Sequence, residues 1–118
     1  MPQLVLEYSS NVIEKEGVQD LLRRFHDLLA EFLPTDINSC KSRAIEHEHY
    51  LVGTSRSANC FVHVTLRVLP GRTKVALDEV GKKLTEAMSA HFAQSAKTMK
   101  LQVTLEIAEL QHYFKIAI

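Results

Sequence analysis

Apolar and polar positions alternate from the beginning of the chain, with Leu4, Leu6 and Tyr8 on one side and Gln3, Val5 and Glu7 on the other. A period of two predicts a half-buried strand over residues 2–8. Ser9, Ser10 and Asn11 can turn the chain or cap a helix, and beyond them Val18, Leu21, Leu22, Phe25, Leu28, Leu29 and Phe32 recur at offsets of three and four. That spacing predicts one face of a helix. Its end is set before Pro34, because the residue preceding a proline is pushed out of the helical region.

A second strand is expected over residues 40–52, with Ile45, His47, His49 and Leu51 sharing a face, followed by a loop of small polar residues over 53–59. The clearest strand covers 61–68, where Val62, Val64, Leu66 and Val68 oppose His63, Thr65 and Arg67. Pro70 and Gly71 break it and Thr73 is a natural helix cap. Leu77, Val80, Leu84, Ala87, Met88, His91 and Phe92 then trace a second amphipathic helix. A fourth strand is expected over 101–108, with Leu101, Val103, Leu105 and Ile107 toward the core. The apolar tail over 113–118 suits either an edge strand or contact with a neighbouring subunit.

The order is strand, helix, strand, repeated once about a midpoint near residue 60. It predicts an α+β fold in a single domain over 1–118: two βαβ units, about 1–60 and 61–118, forming one four-stranded mixed sheet. Two helices cover only one face of such a sheet. The other face carries Gln3, Val5, Glu7, His63, Thr65, Arg67, Gln102, Thr104 and Glu106, a mixture that either meets the same face of other copies or is solvated.

With 118 residues and 46% apolar composition, the chain has material for one core and no second full domain. Fourteen basic side chains balance fourteen acidic ones, so no overall field draws in nucleic acid or an anionic membrane, and any charge-based recognition is local. Cys40 and Cys60 form no C-x-x-C or zinc-type spacing and read as ordinary thiols of a reducing compartment. The first residues carry no basic segment followed by an apolar run of signal length, so a soluble, cytoplasmic protein is expected.

Three residues are candidates for chemistry. Pro2 follows the initiator methionine, and a small second residue normally permits that methionine to be removed, exposing a secondary amine. Burial and nearby cations disfavour the protonated amine and tune it toward working pH, where a general base is most effective. The plain alternative is a proline that merely begins a strand. Arg43 near the start of the second strand and Arg72 in the turn after the third offer forks that grip carboxylates and stabilise a developing enolate, or else are surface cations. His47 and His49, with Glu7 or His63, raise the thought of a metal, but no recognised ligand signature surrounds them.

Taken together, MPQLVLEYSSNV, the SRA at Arg43, FVHVTLRVLPGR around Arg72, and the later HF and LEIAEL resemble the 5-carboxymethyl-2-hydroxymuconate isomerase family of the tautomerase superfamily. The resemblance spans nearly the whole chain. It implies a homotrimer with sheets around a barrel-like interior, sites near subunit boundaries, and no metal or organic cofactor. It further implies Pro2 as catalytic base, Arg43 and Arg72 as carboxylate-binding residues, and a small-molecule carboxylate substrate from homoprotocatechuate breakdown. A tautomerase of another small oxo acid, or a non-catalytic trimer that binds an acidic metabolite, remains the competing expectation.

Overall fold

The computed structural model describes residues 1–118 and has the expected strand–helix–strand repeat. Strand β1 (Gln3–Ser9) leads to helix α1 (Val18–Phe32) and strand β2 (Lys41–His47). Strand β3 (Asn59–Val68) leads to helices α2 (Lys74–His91) and α3 (Ala93–Thr98), then strand β4 (Lys100–Glu109). The strands lie in the order β2-β1-β3-β4. Each repeat pairs its own strands in parallel, and the two repeats meet antiparallel where β1 runs against β3.

The core follows from the alternation. Leu4, Leu6, Val62, Val64 and Leu66 are wholly buried on one face of the central strands, against Phe25 and Leu29 of α1 and Val80, Leu84 and Met88 of α2. Full burial of each such side chain contributes about 1.5–3 kcal/mol. The edge strand β4 adds Leu101, Val103, Leu105 and Ile107, packed against this cluster but only partly covered.

Helix ends fall where the sequence places them. The Thr73 hydroxyl accepts from the Ala76 amide at 3.1 Å and caps α2, and α1 stops at Leu33, directly before Pro34. Gly71 takes a φ of 110°, in a region that side-chain-bearing residues rarely adopt, so the turn carrying Arg72 depends on glycine there.

Two expectations are corrected. The second strand ends at His47 rather than Val52, because its partner β1 ends at Ser9, the residue opposite His47, and no ladder remains beyond. Residues 48–58 instead form a loop tied by side chains, with Arg56 donating to the Glu48 carbonyl at 2.8 Å and Asn59 to that of Val52 at 2.8 Å. His49 and Leu51 therefore leave the sheet face shared by Ile45 and His47. The tail after Leu110 forms no strand: the chain turns at His112, whose φ is 50°, and runs back toward β1.

Candidate active site at the N-terminus

Pro2 is buried immediately before β1, and its carbonyl accepts from the Lys41 amide at 3.1 Å. The parallel β1–β2 ladder thus holds the start of the chain by its backbone. Met1, in front of it, samples the electrostatics at this point. Its amine lies below the ordinary range, first through partial burial and then through the charge of Arg72, with Lys115 and Lys41 adding and the Cys40 thiol opposing.

Arg72 is half-buried, and its Nη1 donates to the Leu33 carbonyl at the end of α1. The β3–α2 turn, the end of α1 and the start of β1 are thereby gathered at one end of the sheet. Arg43 lies differently. It is exposed on the uncovered face, opposite Val5 in register, and donates to Gln3 Oε1 at 3.0 Å. Within one chain the structure brings Arg72 to the amino terminus and leaves Arg43 on the outward sheet face, level with Val5, three residues beyond Pro2.

The uncovered face is a polar network. His47 meets Glu7 at 2.9 Å, His63 contacts Thr104 at 2.7 Å and Glu106 at 3.2 Å, and Thr65 donates to Glu106 at 3.2 Å. Hydrogen bonds from His63 and Thr65 hold the Glu106 carboxyl below its usual range. His47 and His63 are therefore each engaged with a different carboxylate, and His49 stands apart in the loop beside Tyr50 and Arg56. Both cysteines are buried free thiols, and burial pushes both upward, away from the thiolate.

The four surface hollows of the chain lie elsewhere, on the 48–57 loop, above His63, and between α1 and α2; Pro2, Arg43 and Arg72 line none of them. No hollow of a single chain therefore opens onto Pro2, whose ring is buried. Sequence reasoning missed three side chains close to it. Lys41 and Lys115 act on the terminal amine, and Gln3 joins Arg43 to the tail by donating to Tyr113 Oη at 3.2 Å. The only signal for Lys115 was its place in an apolar tail.

The family model for 5-carboxymethyl-2-hydroxymuconate isomerase matches residues 2–117. The 5-carboxymethyl-2-hydroxymuconate Delta-isomerase of Escherichia coli is 26% identical over 110 residues, which cover 93% of this chain and 87% of that protein. The crystal structure of a 5-carboxymethyl-2-hydroxymuconate isomerase from Deinococcus radiodurans R1 superposes with a TM-score of 0.88 at 26% identity, covering 98% of this chain and 88% of the other. A fused 4-OT wild type symmetric trimer shares the fold more distantly, with a TM-score of 0.69 at 16% identity over 91% of this chain and 85% of its own. With a family match running from Pro2 almost to the last residue, this chain belongs to the 5-carboxymethyl-2-hydroxymuconate isomerase family and is an isomerase.

Proposed function

We propose that the chain, once Met1 is removed, converts 5-carboxymethyl-2-hydroxymuconate to its oxo-hexenedioate isomer, with the nitrogen of Pro2 as the proton carrier. The observation that carries this reading is the amino-terminal environment: burial, Arg72 and two lysines lower the pKa of the Met1 amine, one residue ahead of where the family match begins. A neutral secondary amine has the lone pair that a base needs.

The neutral Pro2 nitrogen takes the proton of the substrate's 2-hydroxyl. The O–H electron pair becomes the new carbonyl π bond, the diene electrons move along the conjugated system, and a distal carbon takes the proton back from the prolinium. Nothing is oxidised or reduced, and the base ends as it began. Arg72 holds a substrate carboxylate and opposes negative charge building on the reacting oxygen, while Arg43 takes a second carboxylate. The substrate is a tricarboxylate, which suits a neutral protein that concentrates cations at one end of its sheet.

The working form is a homotrimer. The polar outward face, and the lack of any hollow lined by Pro2, Arg43 or Arg72 in one chain, support it, since a neighbouring copy laid on that face can complete a cleft. A symmetric trimer among proteins of this fold points the same way. The setting is cytoplasmic breakdown of homoprotocatechuate; no helix is long and apolar enough to cross a membrane.

The test is an ultraviolet assay of ketonisation of the dienol, run on protein whose intact mass shows the methionine gone and on protein that retains it. Processed protein is expected to accelerate the reaction and unprocessed protein to be inert, because an acylated proline nitrogen has no basic lone pair. Processed protein no faster than solvent rejects the reading.

A further inference from the structure

The tail of the chain ends against the amino terminus. Leu110 is anchored to β3 through its amide and the Val68 carbonyl at 2.7 Å, and His112 then takes a left-handed conformation that sends the chain back across the end of the sheet. Histidine is among the few residues that tolerate this region. Beyond the turn, side chains alternate. Tyr113 is half-buried and accepts a hydrogen bond from Gln3, and Lys115 reaches Met1 Sδ at 3.7 Å, whereas Phe114, Ile116 and Ile118 stand out in solvent.

A thioether is a poor acceptor for an ammonium group. When Met1 departs, Lys115 loses that partner and borders the space Met1 vacates in front of the Pro2 nitrogen, where the substrate of the proposed reaction must sit. Its charge already acts on the terminal amine, in the same direction as that of Arg72. Tyr113 and Gln3 fix its base: Gln3 bridges Tyr113 on the tail and Arg43 on β2, so one glutamine links the tail to an arginine.

We propose that Lys115 is a third carboxylate-binding residue of this site, held over the Pro2 nitrogen by the Tyr113–Gln3–Arg43 hydrogen-bond chain, and that it selects tricarboxylates over dicarboxylates. The inference rests on the site proposed above, with Arg43 and Arg72 taking two carboxylates and Lys115 the third. Lysine suits the task because a flexible ammonium grips a carboxylate without demanding the fixed fork geometry of arginine.

Binding of two inert ligands separates this inference from the isomerase reading. Calorimetry on the Met1-free full chain compares propane-1,2,3-tricarboxylate with glutarate, for the native sequence, Lys115→Gln and Lys115→Arg. The native chain is expected to prefer the tricarboxylate. Lys115→Gln is expected to weaken that ligand about tenfold, the scale of one charge-assisted hydrogen bond, and to leave glutarate unchanged, while Lys115→Arg keeps the preference. Lys115 is exposed, so its replacement leaves the core intact. Equal affinity of the native chain for both ligands, or a Lys115→Gln chain that binds the tricarboxylate as well as native, overturns the inference. Absence of isomerase activity alongside the expected binding pattern overturns the proposed reaction and leaves the Lys115 assignment standing.

Discussion

Arg72 donates through Nη1 to the backbone oxygen of Leu33, so the turn that carries the guanidinium is fastened to the end of α1. The carbonyls of a last helical turn lack partners within the helix, and this bond supplies one. One side chain therefore serves the fold and the proposed site together. Arg72→Ala is expected to lower turnover by roughly 10² or more, and separately to lower stability by about 1.5–3 kcal/mol, the range for a hydrogen bond from a charged donor. Chemical denaturation and the dienol assay read the two effects independently. A folded Arg72→Ala protein with native turnover removes Arg72 from catalysis.

The electrostatics of the amino terminus set a pH dependence. Burial first, and Arg72 next, lower the pKa of the Met1 amine; in the processed chain the Pro2 nitrogen, one residue on, is expected to share these neighbours. A base works in its deprotonated form, so kcat/KM is expected to rise with pH through the amine's pKa and level off above it. The midpoint is expected below that of a solvent-exposed prolyl terminus. Removing the Arg72 charge withdraws the second-largest cause of the lowering, so the Arg72→Ala midpoint moves upward. Nitrogen NMR of the labelled terminal proline follows the same titration without substrate. A midpoint equal to that of a free prolyl peptide contradicts the electrostatic argument.

Glu14 and Ser95 form the other polar junction of consequence, 81 residues apart in the chain. Ser95 is wholly buried; its hydroxyl donates to Glu14 Oε1 at 2.5 Å and accepts from the Ile13 amide at 2.9 Å, and its own amide donates to Glu14 Oε2 at 3.0 Å. Burial raises the Glu14 pKa, but hydrogen bonds from Ser95, joined by the backbone amides of Glu14 and Gln94, together outweigh it and the net shift is downward. A carboxyl lowered by folding contributes stability above its unfolded pKa, about 4.3, and loses it as pH falls through the folded value. Ser95→Ala is expected to cost about 1–3 kcal/mol near neutral pH by stranding the Ile13 amide and part of the carboxylate. The cost shrinks in acid, where Glu14 is protonated in both proteins. Denaturation curves taken at both ends of that range check it, and a cost independent of pH denies Glu14 its part.

Much of this architecture is written in local patterns. The alternation of Leu4, Leu6 and Tyr8 and of Val62, Val64 and Leu66 marks the central strands because one face is buried and the other is not. Val18 to Phe32 marks α1 for the same reason, at a different period. The end of β2 was illegible, since it depends on where β1 stops rather than on the residues from Glu48 to Val52. The buried Ser95 hid α3, because a lone serine gives no sign that a distant carboxylate will satisfy it. At the site, Pro2 and Arg72 were visible as a penultimate proline and a P-G-R turn. Lys115 was not, because its meaning arises only when His112 turns the tail back across the sheet.

The outward apolar side chains make the last prediction. Phe114 and Ile116 are 89% and 86% exposed, and Ile45 is 45% exposed on the edge strand β2 of a polar sheet face. Isolated exposed apolar residues are ordinary, but these stand on the uncovered face and on the tail that borders it, where the proposed trimer closes. Burying each against a neighbour contributes about 1.5–3 kcal/mol, and an aspartate there strands a charge instead. Native protein is expected to sediment as three copies, and Phe114→Asp and Ile45→Asp to shift the distribution toward single chains. Because no hollow of a lone chain is lined by Pro2, Arg43 or Arg72, dissociation should remove isomerase activity while far-ultraviolet circular dichroism still reports a folded βαβ repeat. A native chain that sediments as a monomer and is fully active would show that one copy builds the whole site, and would reject the trimer as the working form.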